Sequence, residues 1–195
     1  MAAATPRAFE RPRGGVNAAV EHALHARRVA LVADTHGYLD PRVADAVAGC
    51  EVVLHAGDVG GTQVLDDLKA TGARVMAIRG NNDVEAKWPA SEGGVLQALP
   101  GRLELQLAGG TLVVVHGDRY RAKARHARLR RDFARARAVL YGHSHRLCCD
   151  TAAQPWILNP GAAGRVRTYG GPSLLLLTVD RAGWQVRPVR FTGKR

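Results

Sequence analysis

Five short stretches of this chain present side chains that bind metal ions: Asp34-Thr35-His36-Gly37, Gly57-Asp58, Gly80-Asn81-Asn82-Asp83, His116-Gly117-Asp118 and Gly142-His143-Ser144-His145. The donors are Asp34, His36, Asp58, Asn81, His116, His143 and His145. Oxygen and imidazole ligands suit Mn, Fe, Zn, Co or Ni, and Mg less well. No thiolate joins them, which argues against a purely structural zinc site. Seven donors exceed what one tetrahedral ion takes, but they suit two ions sharing a carboxylate. Two ions about 3.5–4 Å apart clamp both the attacking and the leaving oxygen of an in-line displacement. Each donor alone is weak evidence, since a buried His or Asp more often serves as a hydrogen-bonded structural residue. The weight lies in five stretches in order, each beside a glycine that lets the backbone turn tightly near a crowded centre.

The elements that must position these residues are legible upstream of each stretch. Val29-Ala30-Leu31-Val32-Ala33, Val52-Val53-Leu54-His55-Ala56, Val75-Met76-Ala77-Ile78, Leu112-Val113-Val114-Val115 and Ala138-Val139-Leu140-Tyr141 are short apolar runs without alternation. Such runs read as strands buried on both faces. Helical segments are expected at 41–48, behind an Asp-Pro start, and at 62–70, with Thr62 as cap and Gly72 as stop. A third is expected at 120–136, with Ala122, His126, Leu129 and Phe133 on the buried stripe. Strand alternating with helix implies a mainly parallel sheet. In open α/β sheets ligands bind beyond the carboxyl ends of strands, which is where the donors stand. Later the pattern changes: 102–107 and 111–115 flank Ala108-Gly109-Gly110 as a hairpin, and 145–149, 156–158, 174–179 and 184–189 read as further strands. Two packed sheets with outer helices are expected. Residues 1–27 read as a basic N-terminal extension ahead of a domain at 28–195. Within it, 1–14 has the composition of a partly disordered tail, and Val16, Val20 and Leu24 have helical spacing.

In their order, Asp34-x-His36, Gly57-Asp58, Gly80-Asn81-x-Asp83, His116-Gly117 and Gly142-His143-x-His145 resemble the motifs of the calcineurin-like metallophosphoesterases. The chain is most similar to the small bacterial and archaeal single-domain phosphodiesterases of the YfcE type, whose Asn-Pro-Gly turn is matched by Asn159-Pro160-Gly161. The resemblance covers residues 28–190 and implies an α/β fold, a four-layer α-β-β-α sandwich of two mixed sheets. It implies two divalent ions, Mn foremost, with Fe, Zn, Ni, Co or Mg as alternatives. One ion would take Asp34, His36 and His145, the other Asn81, His116 and His143, with Asp58 as bridge. It also implies phosphate-ester hydrolysis by a metal-bridging hydroxide, with Asp58, Asn81 and His116 central to catalysis.

Many relatives carry a His directly after the ligating Asn, thought to protonate the leaving group. Here that residue is Asn82, whose amide has no useful acidity. Asn82, Arg79, Arg119 and Arg165, together with Arg167, adjoin the site loops and are candidates for phosphate recognition. His55, Asp83 and Asp118 are candidates for orienting the ligands. Asp118 reads equally as a cap for the following helix, and Asp83 as the residue that fixes its own turn.

The net charge of +11 is concentrated between Arg119 and Arg137, where eight Arg and one Lys face the single acid Asp132. A solvated helix face and an anionic partner both explain it. Aromatics are only 5%, which argues against single-strand nucleic-acid recognition. On the complete donor set a small phosphate ester is the expected partner, with nucleic acid and self-association as alternatives. No apolar run is long enough to span a bilayer, and no secretory leader is evident. Three cysteines exclude a disulfide scaffold and point to the cytoplasm. A non-catalytic scaffold on the same fold, as in the retromer subunit that resembles these enzymes but has lost a metal histidine, ranks lower, because no donor is missing here.

Overall fold

The computed structural model describes residues 20–180 and 183–192. The expected tail at 1–14 lies outside the described residues. Two mixed sheets form the centre. One has the order β11 (Trp184–Arg190), β10 (Ser173–Val179), β2 (Arg28–Val32), β3 (Val52–His55), β4 (Arg74–Ala77). The other has the order β1 (Val20–Ala23), β5 (Arg102–Leu107), β6 (Gly110–Val115), β7 (Ala138–Tyr141), β9 (Trp156–Asn159), β8 (Cys148–Asp150). Strands β2, β3 and β4 are parallel, as are β6, β7 and β9, so their carboxyl ends form two neighbouring rows.

The lack of alternation in the strands follows from burial on both faces. Val29, Leu31, Leu54, Leu112, Leu140, Leu158 and Leu175 pack between the sheets. On the other face of the first sheet, Ala30, Val32 and Val53 meet α1 (Pro41–Val47), α2 (Thr62–Ala70) and α3 (Gly93–Ala98) through Val43, Val47, Leu68 and Leu96. On the far side of the second sheet, Val139 and Ile157 meet Leu129 of α4 (Arg125–Asp132). These packing faces give the four layers.

Four local readings need correction. The helix that the spacing suggested over 16–28 is not formed by its described residues: Val20–Ala23 is a strand parallel to β5, and Leu24 and Ala26 are buried in the core. The open edge of β5 offers backbone partners, as in Leu24 N–H to Gln106 C=O at 3.0 Å, and burial alternates with period two from Ala23 to Arg27. Nonlocal pairing has outweighed the helical spacing. The segment expected to precede the domain thus supplies an edge strand to it. The cap of α2 is Gly61, and the Thr62 N–H is taken by the Glu92 carboxylate at 2.7 Å. The basic helix is shorter than expected, a 3-10 turn at Ala122–Ala124 followed by α4, and its buried residues are Arg125 and Leu129 while Ala122 is exposed. Finally, 143–147 is a loop, and β8 begins only at Cys148.

Candidate metal centre

All seven donors lie at the carboxyl ends of β2, β3, β4, β6 and β7, where the two parallel rows meet. The loops that carry them interlock. Asp34 N–H donates to Gly57 C=O at 3.0 Å, His36 N–H to Asp58 C=O at 2.9 Å, and Gly37 N–H to Val59 C=O at 2.8 Å. Five of the seven donors hold a left-handed backbone: Asp34 (φ 56°), His36 (φ 50°), Asp58 (φ 55°), His143 (φ 61°) and His145 (φ 56°). That conformation costs a non-glycine residue roughly 1–2 kcal/mol each and persists only where surrounding contacts impose it. Strain concentrated on these five residues marks them as built for a purpose other than stability.

The donors fall into two clusters. In the first, Asp34, His36, Asp58 and His145 each place one donor atom so that all lie within 4.8 Å of one another. His36 Nε2 is 3.1 Å from His145 Nε2, 3.7 Å from Asp58 Oδ2, and the Asp34 Oδ1 atom is 3.7 Å from His145 Nε2. His145 Nδ1 is 2.9 Å from the Val166 carbonyl, to which it donates, so Nε2 carries its lone pair inward. Asp34 Oδ1 accepts from His143 N–H at 3.0 Å, but Oδ2 is buried and has no hydrogen-bond partner. A buried carboxylate oxygen without a donor is costly, and a cation at this point removes the cost.

In the second cluster, Asn81 Oδ1 is 2.9 Å from His116 Nε2 and 2.8 Å from His143 Nδ1, while Asp58 Oδ1 is 3.4 Å from His116 Nε2. His116 Nδ1 donates to the Ala56 carbonyl at 2.9 Å, leaving Nε2 to face the cluster. Asp58 stands between the clusters with one oxygen toward each. The residues therefore fit a divalent cation on the evidence of Asp34 Oδ2, the inward ring nitrogens and the mixed oxygen–imidazole set.

Titration behaviour fits this picture. Burial pulls the pKa values of His36 and His143 down, and takes His145 to about 4, so these rings are neutral, as ligands must be. Burial raises Asp34 to about 7. At Asp58 burial pushes upward too, but His116 and the two Asn82 donors outweigh it and hold the carboxyl well below its ordinary range. Burial likewise opposes protonation of His116, yet the Asp58 carboxylate carries its pKa up to about 9.

The supporting residues are now placed. His55 is fully buried. Gly57 N–H donates to its Nδ1 at 3.2 Å, so the ring is neutral with the proton on Nε2, 2.9 Å from Thr35 Oγ1, and the Thr35 hydroxyl donates onward to Val59 C=O at 2.9 Å. The ring thereby ties the Asp34–His36 loop to the Asp58 loop. Asp83 accepts from Gly80 N–H of its own turn at 2.8 Å, and also from Val59 and Gly60 N–H at 3.1 and 2.9 Å and Trp88 Nε1 at 3.1 Å. Asn82 grips Asp58 through its backbone N–H to Oδ1 and its Nδ2 to Oδ2, both at 2.7 Å, and accepts from Lys87 Nζ. Asp118 is exposed and does not cap α4, whose cap residue is Ala124. Arg79 donates to the Leu96 carbonyl at 2.5 Å and so fastens α3. Arg119 is exposed on the turn after Gly117, and Arg165 stacks 4.7 Å from the Tyr38 ring centre. Arg167 comes nearest the donors, with Nη2 3.1 Å from His145 Nε2.

Two further residues support the site. Asn159 donates to Gly142 C=O at 2.8 Å and Ser144 Oγ at 3.0 Å and accepts from Gly161 N–H at 2.9 Å, holding the loop that carries His143 and His145. Only its Asn-Pro-Gly context marked it. Gly80 approaches Asp58 so closely that a Cβ there would lie 2.2 Å from Asp58 N and 2.3 Å from its Oδ1.

A four-layer sandwich with oxygen and imidazole side chains gathered at the carboxyl ends of parallel strands defines an α/β protein with a candidate metal centre. More closely, the chain belongs to the calcineurin-like phosphoesterase superfamily, whose domain model matches residues 28–182. A probable metallophosphoesterase of Methanocaldococcus jannaschii is 27% identical over 139 residues, 69% of this chain and 67% of the relative. The fold is shared with an archaeal phosphodiesterase (TM-score 0.63, 18% identity, 83% of this chain and 99% of that one). It is also shared with the Escherichia coli phosphoesterase YfcE (0.59, 21%, 78% and 89%). The Entamoeba histolytica protein Vps29, in a zinc complex, is alike to a similar degree (0.63, 18%, 84% and 98%). The chain is thus a calcineurin-like phosphoesterase homologue with a candidate metal-binding group. Among the described residues no helix is long and apolar enough to cross a membrane.

Proposed function

We propose that this protein is a binuclear metal-dependent phosphodiesterase, acting on a small phosphate ester in the cytoplasm. The observation that carries the reading is Asp58: its Oδ2 faces His36 and its Oδ1 faces His116, so one carboxylate serves both donor clusters. Asp34, His36 and His145 would hold one ion and Asn81, His116 and His143 the other. When bound, two divalent ions, Mn foremost, supply the Lewis acidity that activates water and offsets charge on the phosphate. Zn, Fe, Ni, Co and Mg are the alternatives that an oxygen–imidazole set admits.

The chain's own residues perform the rest. Asn82 and His116 keep Asp58 ionised, so the bridging carboxylate needs no deprotonation at neutral pH. Val166 and Ala56 engage the Nδ1 atoms of His145 and His116, so each turns Nε2 toward its cation, and His116 would give up its Nε2 proton on binding one. Arg167, exposed and beside His145, is placed to take a phosphate oxygen through its planar fork. Asn82 occupies the position of the usual histidine acid, and its amide is engaged with Asp58, so the leaving-group proton comes from water. This favours leaving groups that depart without a strong acid.

The test is hydrolysis of a bis-aryl phosphate by purified protein with Mn²⁺, together with elemental analysis of bound metal. Two metal ions per chain and loss of activity in Asp58→Ala and His116→Ala are expected. Full activity in either variant, or no metal uptake from any of the six ions, overturns the reading. The latter result would favour the non-catalytic scaffold, which the complete donor set speaks against.

A further inference from the structure

The basic stretch resolves into two kinds of cation. Arg125 is buried against Tyr141, Arg130 pairs with Asp150 at 2.7 Å, Arg131 pairs with its neighbour Asp132 at 3.0 Å, and Arg137 stacks on Trp156 and Trp184. Arg119, Arg121, Lys123 and Arg128 are different. All four are exposed, and none of their side chains has an ion pair or a hydrogen bond among the described residues. Arg119 lies in the turn that Tyr120 N–H closes onto Gly117 C=O at 3.2 Å, directly after the donor His116. Arg121 precedes the 3-10 turn at Ala122–Ala124, Lys123 is inside it, and Arg128 lies on α4, which covers the far side of the second sheet. The exposed Asp118 is the one acid of this run, so the four charges repel one another with little to offset them.

The surroundings narrow the kind of anion that fits. Arg121 and Arg128 are seven residues apart, about 10–14 Å along a 3-10 or α-helix, so a single phosphate cannot bridge them. Duplex DNA carries one negative charge per about 1.7 Å of its axis and can meet all four cations at once. An anionic membrane is the poorer fit, because the exposed large hydrophobic residues are Val84, Val95, Val166 and Tyr169, and none of them lies in this stretch to enter a bilayer. An acidic protein would find no apolar or aromatic anchor there either. A single strand needs rings on which to stack its bases, whereas Tyr120 is half-buried and Phe133 lies beneath Arg102. The stretch from Arg119 to Arg131 also contains no Ser, Thr, Asn or Gln, and its one imidazole, His126, is engaged with the Tyr141 hydroxyl at 2.9 Å. Its side chains thus suit phosphates, and they offer few groups to read base edges or the 2′-hydroxyl of RNA.

We propose that Arg119, Arg121, Lys123 and Arg128 form a docking face for double-stranded DNA, held through its phosphates without reading the sequence. The face goes beyond the phosphodiesterase reading and does not depend on it, because none of the seven metal donors belongs to it.

The test is fluorescence anisotropy of a labelled short DNA duplex with the full-length, Mn²⁺-loaded protein over a salt series. Wild type is compared with the triple variant Arg121→Gln, Lys123→Gln, Arg128→Gln, and thermal melts verify folding. A control triple, Arg28→Gln, Arg74→Gln, Arg187→Gln, removes the same charge from exposed positions on the other sheet. Each phosphate contact adds about −0.9 to the slope of log affinity against log salt. Four contacts give a slope of about −3.6, or about a hundredfold loss between about 50 and 200 mM salt. The first triple should leave a slope of about −0.9, or about a 3–4-fold loss over the same range, while the control keeps the wild-type slope. Duplexes of unrelated sequence should bind alike. A wild-type slope near zero overturns the proposal, and so does an equal weakening in the two triples, which would mean that net charge and not this face binds DNA. Tighter binding to a single strand, or to vesicles of equal parts phosphatidylcholine and phosphatidylserine, overturns it as well. The phosphodiesterase reading fails separately: wild type would then leave the bis-aryl phosphate intact, whatever the duplex result.

Discussion

Asp83→Asn preserves shape and volume, so its effect isolates hydrogen-bond polarity. The Asp83 side chain is fully buried and accepts four hydrogen bonds, two on each oxygen. Oδ2 receives Val59 and Gly80 N–H, and Oδ1 receives Gly60 N–H and Trp88 Nε1–H. An asparagine has one acceptor oxygen, so either orientation of its amide turns an NH2 toward two N–H donors. Two hydrogen bonds to a charged group are lost at about 1.5–3 kcal/mol each, or about 3–6 kcal/mol together. That is a large share of the roughly 5–15 kcal/mol that stabilises a domain. The assay is urea unfolding of chelator-treated protein followed by tryptophan fluorescence. With an m-value of about 2 kcal/mol/M, the midpoint should fall by about 1.5–3 M. A midpoint within about 0.5 M of wild type would refute the reasoning, because the four-donor arrangement could not then be carrying the loops.

Two further predictions concern the same loops. His55 has a depressed folded pKa of about 4 against an ordinary 6.5, caused by burial. Its contribution to stability is therefore complete above pH 6.5 and is lost as pH falls toward 4, by up to about 3 kcal/mol. The difference in unfolding free energy between wild type and His55→Asn should shrink over that window, and a pH-independent difference would count against the buried neutral ring. Gly80→Ala drives a methyl into Asp58 at 2.2–2.3 Å and should abolish metal uptake, whereas Gly94→Ala, with nothing within 4 Å, should bind metal normally. In α3 the latter should also raise stability by about 0.5–1 kcal/mol. Equal metal content in the two proteins would show that close approach at Gly80 is unnecessary.

The sequence by itself marked the candidate donors and the ends of the strands that carry them. β-Branched runs buried on both faces cannot alternate, and the polar residues and glycines that interrupt them mark where the chain leaves the sheet. Asp34, His36, Asp58, Asn81, His116, His143 and His145 stood out for that local reason. Tertiary structure alone decided what depends on distant partners. Val20–Ala23 has a helical spacing but pairs with β5, because an unfilled sheet edge over 80 residues away supplies its hydrogen bonds. Asn82 lay beside a donor and among the candidates for substrate contact, yet its amide grips Asp58 from 24 residues away. The left-handed backbone at five donors leaves no local trace, since it is imposed by interlocked loops rather than preferred by Asp or His. Arg125 is one of eight arginines in a uniform basic stretch. Only the packing of α4 against Tyr141 makes it the buried arginine of that stretch, because burial is a property of the assembled layers and not of the residue.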